Sequence, residues 1–218
     1  MDKNVIFDIG VYDGSDTDYY LYSGYKVVGL EANKDLFDLL VIKYELEIKS
    51  GHVVLINKAL AEDTKDRTFY INNVEKGWSS LKKDCGNKIH GGMEQTVRCT
   101  TLDKLIKEYG MPHYIKIDIE NYECECIAAL STLPEYISVE LTDLKVIDLL
   151  HEKGYTGFQL VNTGLNWRDG DYIKVENEAH PRSGKLPEKL VNIWHTAEGI
   201  KIIYERNKKY PFDLYCKR

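Results

Sequence analysis

Short apolar runs alternate with helix-type segments along almost the whole chain, and this alternation constrains the fold more than any other feature. Runs typical of buried strands begin at Val5, Tyr25, His52, His113 and Tyr136. Strands that alternate with helices at this spacing form right-handed βαβ units in a mainly parallel sheet covered on both faces. We therefore predict an α/β fold with a doubly wound, mainly parallel sheet. Its 218 residues fit a single domain, 1–218.

Helix boundaries are marked by capping residues and glycines. Ser15 or Asp16 is predicted to cap the first helix, which ends at Gly24. Asp35 is predicted to cap a longer helix that is stopped at Gly51. The apolar stripe predicted to pack that helix on the sheet comprises Leu36, Leu39, Leu40, Ile42 and Leu46.

Four of the predicted strands end on acidic residues. These acidic residues are Asp8, Glu31, the pair Asp118 and Glu120, and Glu140. In a doubly wound sheet, ligands bind beyond the carboxyl ends of the strands, near the point where the strand order reverses. Packing alone does not explain four such acids, so this edge is predicted to carry the functional site.

A glycine turn follows the first strand, with Gly10 and Gly14 four positions apart after Asp8. Glu31 lies roughly 20 residues further on, which is the spacing that binds an adenosine ribose through its hydroxyls. The set therefore predicts a site for a nucleoside cofactor.

The acidity of this turn distinguishes between two candidate nucleoside cofactors, NAD and S-adenosylmethionine. NAD places its pyrophosphate at G-x-G-x-x-G spacing on the first helix, where this chain has Asp13 and Asp16. Two like charges about 4 Å apart repel by roughly 4 kcal/mol at an effective dielectric of 20. S-adenosylmethionine has no phosphate and carries positive sulfonium and ammonium groups, so it is the predicted cofactor.

Composition excludes several partners. The net charge of −6 leaves no excess of lysine and arginine for a nucleic-acid backbone, and no apolar run is long enough to span a membrane. The five cysteines and the strand that starts after Asn4 favour a cytoplasmic protein without a signal peptide. The sequence leaves the oligomeric state open.

Several segments together resemble the FkbM-type S-adenosylmethionine-dependent methyltransferases of the class I, Rossmann-like fold. The resemblance lies in FDIGVYDGSDT, VVGLEAN, NKAL, TTLDKLI and, most specifically, YIKIDIENYE, and it extends over nearly the whole chain. It implies a seven-stranded sheet with a reversed last strand. It also implies methyl transfer to oxygen, most often on sugars of glycans or natural products, with S-adenosylhomocysteine as product.

The resemblance also implies roles for individual residues. Asp8, Gly10 and Gly14 would bind the methionine end, Glu31 the ribose, and Asp118 the amino group or the substrate. The complete predicted cofactor set is Asp8, Gly10, Asp13, Gly14, Thr17, Glu31, Ala32, Asn33, Ala59 and Asp118.

The chain departs from the family pattern in two places. Tyr12 and Asp13 stand where the family usually has Asn, and Asn121 stands where it usually has Gly. Because Asn tolerates the left-handed backbone region better than most residues, we expect the turn at Asn121 to be kept.

A sugar hydroxyl is a weak nucleophile, so a base that removes its proton should add about 10²–10⁴-fold to the rate. Asp118, Glu120 and Glu140 are the predicted catalytic residues by position, each a candidate for this base. Asp118 and Glu140 could instead share Mg²⁺ with a substrate diol. No third ligand is evident from the sequence, so a divalent cation is allowed but no metal site is predicted.

Two irregular segments, 76–93 and 162–187, are predicted to be lid or substrate loops. A large ring such as that of Trp78 suits the C–H face of a sugar. The predicted contacts to a sugar or glycan acceptor are Trp78, Ser80, Trp167 and His180.

Two alternatives stay open. One is a nicotinamide-dependent oxidoreductase, which the acidic turn disfavours. The other is a nucleoside-binding scaffold that kept the fold without activity, which the four strand-end acids disfavour.

Overall fold

The computed structural model describes residues 4–86, 92–163 and 185–218, which build a seven-stranded sheet. Its strands are β1 (Val5–Ile9), β2 (Lys26–Leu30), β3 (Val53–Ile56), β8 (Tyr114–Ile117), β9 (Tyr136–Glu140), β10 (Gly157–Asn162) and β11 (Phe212–Lys217). The order across the sheet is β10–β11–β9–β8–β1–β2–β3, and β11 runs antiparallel to both of its neighbours. The mainly parallel sheet with a reversed last strand is therefore confirmed.

Four short strands lie outside this sheet. They are β4 (Ala59–Leu60), β5 (Arg67–Ile71), β6 (Met93–Val97) and β7 (Cys99–Thr100). β5 and β6 form an antiparallel pair, and β4 pairs in parallel with β7. Together they build the middle of the chain between β3 and β8.

The helices of the described residues follow the strands as expected from βαβ units. They are α1 (Ser15–Tyr22), α2 (Lys34–Lys43), α3 (Glu45–Lys49), α4 (Lys83–Gly86), α5 (Leu102–Tyr109), α6 (Glu123–Ala129), α7 (Lys145–Glu152) and α8 (Ala197–Asn207), with short 3-10 helices at Lys76–Trp78 and Pro187–Lys189. Within the described ranges, no helix combines the length and the apolar character needed to cross a membrane.

Apolar clusters cover both faces of the sheet. Phe7 and Ile9 of β1 belong to one buried cluster, whereas Ile6 belongs to the cluster on the other face. Neighbouring β8 repeats this alternation, with Ile115 in the first cluster and Tyr114 in the second. Because the central strands are buried on both sides, a charged side chain on them needs a partner inside the protein.

The predicted cap of α1 is wrong. The residue before the helix is Gly14, in the left-handed conformation, and it provides no side-chain cap. The Ser15 hydroxyl donates to Asp13 Oδ1 at 2.7 Å, and Asp16 is buried and directed at Lys116. Neither side chain is therefore available to cap the first turn.

The helix predicted from Asp35 to Gly51 is divided into α2 and α3 at Tyr44. Its cap is Asn33, which accepts hydrogen bonds from the Asp35 and Leu36 amides, rather than Asp35. The Tyr44 hydroxyl is directed inward and donates to the Gly14 carbonyl at 2.7 Å. Leu40 and Tyr44, four positions apart, therefore form the buried face of this region.

The predicted apolar stripe is wrong for most of its members. Leu40 is buried, but Leu39, Ile42 and Leu46 are 60%, 73% and 74% exposed. Leu39 and Ile42 lie in α2 itself, one and two positions from buried Leu40, and at helical spacing they are therefore on other faces than the one that packs inward.

Candidate active site

A cavity of about 910 Å³ lies along the carboxyl edge of the sheet, and its lining draws on loops from β1 to β10. Most of the predicted site residues line it. These are Gly10, Asp13, Glu31, Ala32, Ala59, Trp78, Asp118, Glu120 and Glu140. The strand ends therefore converge as the sequence predicted, on one continuous space.

Other predicted site residues support the wall without lining it. These are Asp8, Gly14, Thr17, Asn33 and Ser80. The Thr17 hydroxyl donates to Asp8 Oδ2 at 2.6 Å, and the Ser80 hydroxyl donates to the Glu120 carbonyl at 2.6 Å. Both hydroxyls therefore donate within the protein, and their predicted contacts with cofactor and acceptor stay predictions. Trp167 and His180 lie outside the described residues.

Glu31 is fixed by two backbone amides. Its Oε2 accepts from Tyr12 N at 2.9 Å and its Oε1 from Asn33 N at 2.8 Å. Burial raises the pKa of Glu31 to about 7, although both amides act to lower it. The carboxylate is thereby held at the wall of the cavity, where its remaining lone pairs can accept hydroxyl donors.

Tyr12 ties the glycine turn to the middle of the chain. It has a left-handed φ of 54°, and its hydroxyl donates to Glu75 Oε1 at 2.6 Å. Glu75 also accepts from the Gly77 amide, next to Trp78. No local sequence signal marks this pair, because the two residues are 63 positions apart.

Lys116 is the main site residue that the sequence reasoning missed. Although buried in β8, its ammonium group donates to the Gly10 carbonyl at 3.1 Å. It also lies 3.4 Å from carboxylate oxygens of Asp16 and Asp118 and 3.7 Å from Asp8. Burial alone would lower the pKa of Lys116, but the carboxylates around it raise that pKa well above its ordinary value.

Asp8 sits behind this ammonium group. Burial raises its pKa to about 6, while the charge of Lys116 and the hydrogen bond from Thr17 act in the opposite direction. Because Asp8 is completely buried and faces Lys116, its described contacts hold the glycine turn together rather than reach the cavity.

Three carboxylates form a second group further along the edge. Asp118 and Glu120 follow β8, Glu140 ends β9, and one oxygen from each lies within 4.8 Å of the other two. Glu120 and Asn121 have left-handed φ angles of 58° and 73°, so the expectation for Asn121 is confirmed. Burial raises the pKa of Glu140 well above its ordinary value, and the charges of Asp118 and Glu120 raise it further.

The strand order, the glycine turn and the acids at the carboxyl edge define a Rossmann-like class I methyltransferase fold. The model of the FkbM methyltransferase domain matches residues 8–156, and the chain belongs to this family of S-adenosylmethionine-dependent methyltransferases. A search of curated protein sequences found no match.

Similar solved structures are distant in sequence. An FkbM methyltransferase from Methylobacillus flagellatus KT is 14% identical, with a TM-score of 0.49, and the match covers 99% of this chain and 44% of that one. A precorrin-6y C5,15-methyltransferase from Geobacter metallireducens GS-15 is 12% identical, with a TM-score of 0.44 and coverages of 100% and 82%.

Proposed function

We propose that this protein transfers the methyl group of S-adenosylmethionine to a hydroxyl of a sugar, in a glycan, a glycoside or a deoxysugar. The observation that carries the proposal is the cavity that joins Glu31 at one part of the sheet edge to Asp118 and Glu140 at another. An adenosine and a methionine moiety need such an extended space, with an acceptor of hydroxyls for the ribose.

The electrostatics of the cavity suit this cofactor. Asp13 and Asp118 line it beside the glycine turn, where a pyrophosphate would be repelled. The sulfonium and ammonium groups are cationic and would be attracted there. Glu31, whose oxygens are held by two amides, is positioned for the ribose hydroxyls, with Ala32 and Ala59 beside the adenine.

The reaction is an in-line displacement at carbon. The acceptor oxygen forms a bond to the methyl carbon as the carbon–sulfur bond breaks, and sulfur keeps the electron pair in neutral S-adenosylhomocysteine. The hydroxyl proton passes to a carboxylate, for which Glu140 is our first candidate, because a raised pKa strengthens it as a base. Holding the three reacting atoms in line supplies up to about 7–11 kcal/mol of the barrier reduction.

The acceptor enters beside residues of the middle and late parts of the chain. Trp78 is 45% exposed and lines the cavity, so its ring can cover the C–H face of a sugar. Thr163, Lys209 and Tyr210 line the same cavity and add polar contacts.

Calorimetric titration with S-adenosylmethionine, S-adenosylhomocysteine and NAD tests the cofactor. Binding of both sulfur compounds and not of NAD is expected, and Glu31→Gln should weaken it at least tenfold, an order-of-magnitude expectation for one lost charged acceptor. Glu152→Gln, the same change on the exposed surface of α7, is the control. Failure of both sulfur compounds to bind at millimolar concentration would refute the proposal.

Transfer of a labelled methyl group to a panel of sugars and deoxysugar glycosides tests the reaction. Glu140→Gln should keep S-adenosylhomocysteine binding and lose about 10²–10⁴-fold in turnover. Normal turnover in this variant would remove Glu140 as the base.

A further inference from the structure

We propose that the acceptor is an oligosaccharide whose second sugar unit occupies a separate cavity beside the site of methyl transfer. This second cavity has a volume of about 520 Å³ and lies among the first residues of α6, the segment before α7 and the end of α8. Cavities of about 300–1,000 Å³ are the size that small ligands occupy. The position of the reacting hydroxyl rests on the proposed methyl transfer, whereas the binding of a sugar unit rests on the second cavity itself.

The two cavities lie on either side of a narrow wall. Four segments of the chain place one residue in the first cavity and a residue one or two positions away in the second. These pairs are Leu81 and Lys82, Glu120 and Asn121, Glu140 and Thr142, and Lys209 and Lys208. Consecutive Cα atoms are about 3.8 Å apart, so little more than the backbone separates the two spaces. A sugar that presents its hydroxyl to Glu120 or Glu140 therefore has its next unit within reach of the second cavity.

Hydrogen bonds hold this wall in place. The Ser80 hydroxyl donates to the Glu120 carbonyl at 2.6 Å. The Thr142 amide donates to the Glu140 carbonyl at 3.1 Å. Because these contacts lie within the protein, the wall is formed before a ligand arrives, which lowers the entropic cost of binding.

The charges around the second cavity are paired within the protein. Lys82 Nζ lies 3.1 Å from Glu125 Oε1, and Lys208 Nζ lies 3.3 Å from Glu205 Oε2. Its lining contains these two lysines and three acids, Glu123, Asp143 and Glu205. A phosphate or sulfate group needs an excess of cationic donors, which this lining does not have. A neutral ligand therefore fits it better than an anionic one.

The lining also offers the groups that bind a neutral sugar. The Asn121 amide and the Thr142 hydroxyl can each donate and accept hydrogen bonds. In the described part of the chain, neither side chain forms a hydrogen bond. Tyr204 adds a half-buried ring that packs edge-on against Phe212, with ring centroids 6.2 Å apart. Hydroxyls and C–H groups of one sugar unit can thus both be met.

Binding of the full chain to an array of mono-, di- and trisaccharides tests the second cavity. The best di- or trisaccharide should bind at least about tenfold more tightly than its component single sugars, as two added hydrogen bonds would supply. Thr142→Tyr places a ring in the second cavity and should remove this difference. Thr156→Tyr is the control, because Thr156 is equally exposed but precedes β10 at the opposite edge of the sheet.

Three results would overturn the inference. They are equal binding of single sugars and oligosaccharides, unchanged oligosaccharide binding in Thr142→Tyr, and no binding to any saccharide of the array.

Methyl-transfer kinetics give a second measurement. With a disaccharide acceptor, Thr142→Tyr should raise KM at least about tenfold and change kcat less than about twofold, since contacts away from the reacting atoms contribute equally to ground and transition states. With a single-sugar acceptor, both constants should stay as in the unaltered protein. The same change for both acceptors would place Thr142 at the reaction site and overturn the separate subsite.

S-adenosylhomocysteine binding distinguishes a failure of this inference from a failure of the proposed function. If S-adenosylhomocysteine binds and single sugars accept methyl as well as oligosaccharides do, the second subsite is wrong and the methyltransferase proposal stands. If oligosaccharides bind and Thr142→Tyr weakens them, but neither sulfur compound binds, the sugar subsite stands without the proposed methyl transfer.

Discussion

Two groups of carboxylates share the carboxyl edge of the sheet, and the protein compensates them differently. Asp8 and Asp16 lie around the ammonium group of Lys116, which is itself buried. Glu120 and Glu140 converge at the ends of β8 and β9. Among the described residues, neither Oε2 of Glu140 nor Oδ1 of Asp8 has a hydrogen-bonding partner, but Asp8 Oδ1 lies 3.7 Å from the Lys116 ammonium group. The charges of the first group are met by Lys116, which lines the cavity together with Asp16. The second group lines the same cavity, and Lys116 reaches it through Asp118.

Asp118 belongs to both groups and connects them. Its Oδ2 atom lies 3.4 Å from Lys116, while it also contributes an oxygen to the trio with Glu120 and Glu140. The comparison predicts that removing the internal cation is more damaging than any change at the edge.

Lys116→Met should cause the largest loss of stability. It leaves buried carboxylates at Asp8 and Asp16 without their cation, and breaking a buried ion pair in this way costs about 3–5 kcal/mol of unfolding free energy. Urea unfolding followed by circular dichroism at pH 8 measures the loss. Lys107→Met, on the exposed side of α5, is the control and should change stability by less than about 0.5 kcal/mol. A loss below about 1 kcal/mol in Lys116→Met would mean that the first group is not held by this cation.

Gly10→Ala should cause the second largest loss of stability. The Gly10 carbonyl accepts a hydrogen bond from Lys116, and the Gly10 Cα lies against the backbone of Asp118. Gly10 has φ of +83°, and a Cβ there would lie 1.9 Å from the Asp118 carbonyl oxygen. The clash and the left-handed backbone together should cost about 3 kcal/mol in urea unfolding.

Gly24→Ala is the control that separates the cost of the clash from the cost of the left-handed backbone. Gly24 has φ of +86° and open space where its Cβ would be, so it carries the backbone penalty alone, about 1–2 kcal/mol. Equal losses at Gly10 and Gly24 would show that close packing against Asp118 does not matter.

Much of the fold and part of the site follow from local sequence signals. Each strand of the large sheet was marked by its own apolar run, so the parallel sheet and its edge could be predicted. The convergence of Asp118, Glu120 and Glu140 followed from their places at strand ends. Asn121 was expected in a left-handed turn because of its residue type, and its φ is 73°.

What the sequence did not reveal depends on contacts over long distances. A strand buried on both faces has no polar alternation, so nothing local shows that Lys116 points at Asp8 and Asp16. The break at Tyr44 likewise depends on its hydrogen bond to Gly14, 30 positions away. Local periodicity predicts one continuous helix there, and it does not show that Leu40 and Tyr44 form the buried face while Leu39 and Ile42 are exposed.

Glu123→Gln is expected to have the smallest effect on stability, and this effect should depend on pH. Glu123 lies behind the second group, is 2% exposed, and accepts a hydrogen bond from the Ile119 amide. Burial raises its pKa from 4.5 to about 7, and the charge of Asp118 contributes to the rise. The folded protein therefore binds this proton more tightly than the unfolded chain does, so stability falls as pH rises from about 4.5 to about 7.

The glutamine variant removes that titration while keeping an oxygen for the Ile119 amide. It should therefore be more stable than the unaltered protein at pH 8, by about 1–2 kcal/mol, and the difference should shrink toward pH 5. Urea midpoints across this range measure it, and Glu152→Gln should show no such pH-dependent difference. A difference that stays constant with pH would show that Glu123 does not titrate in this range.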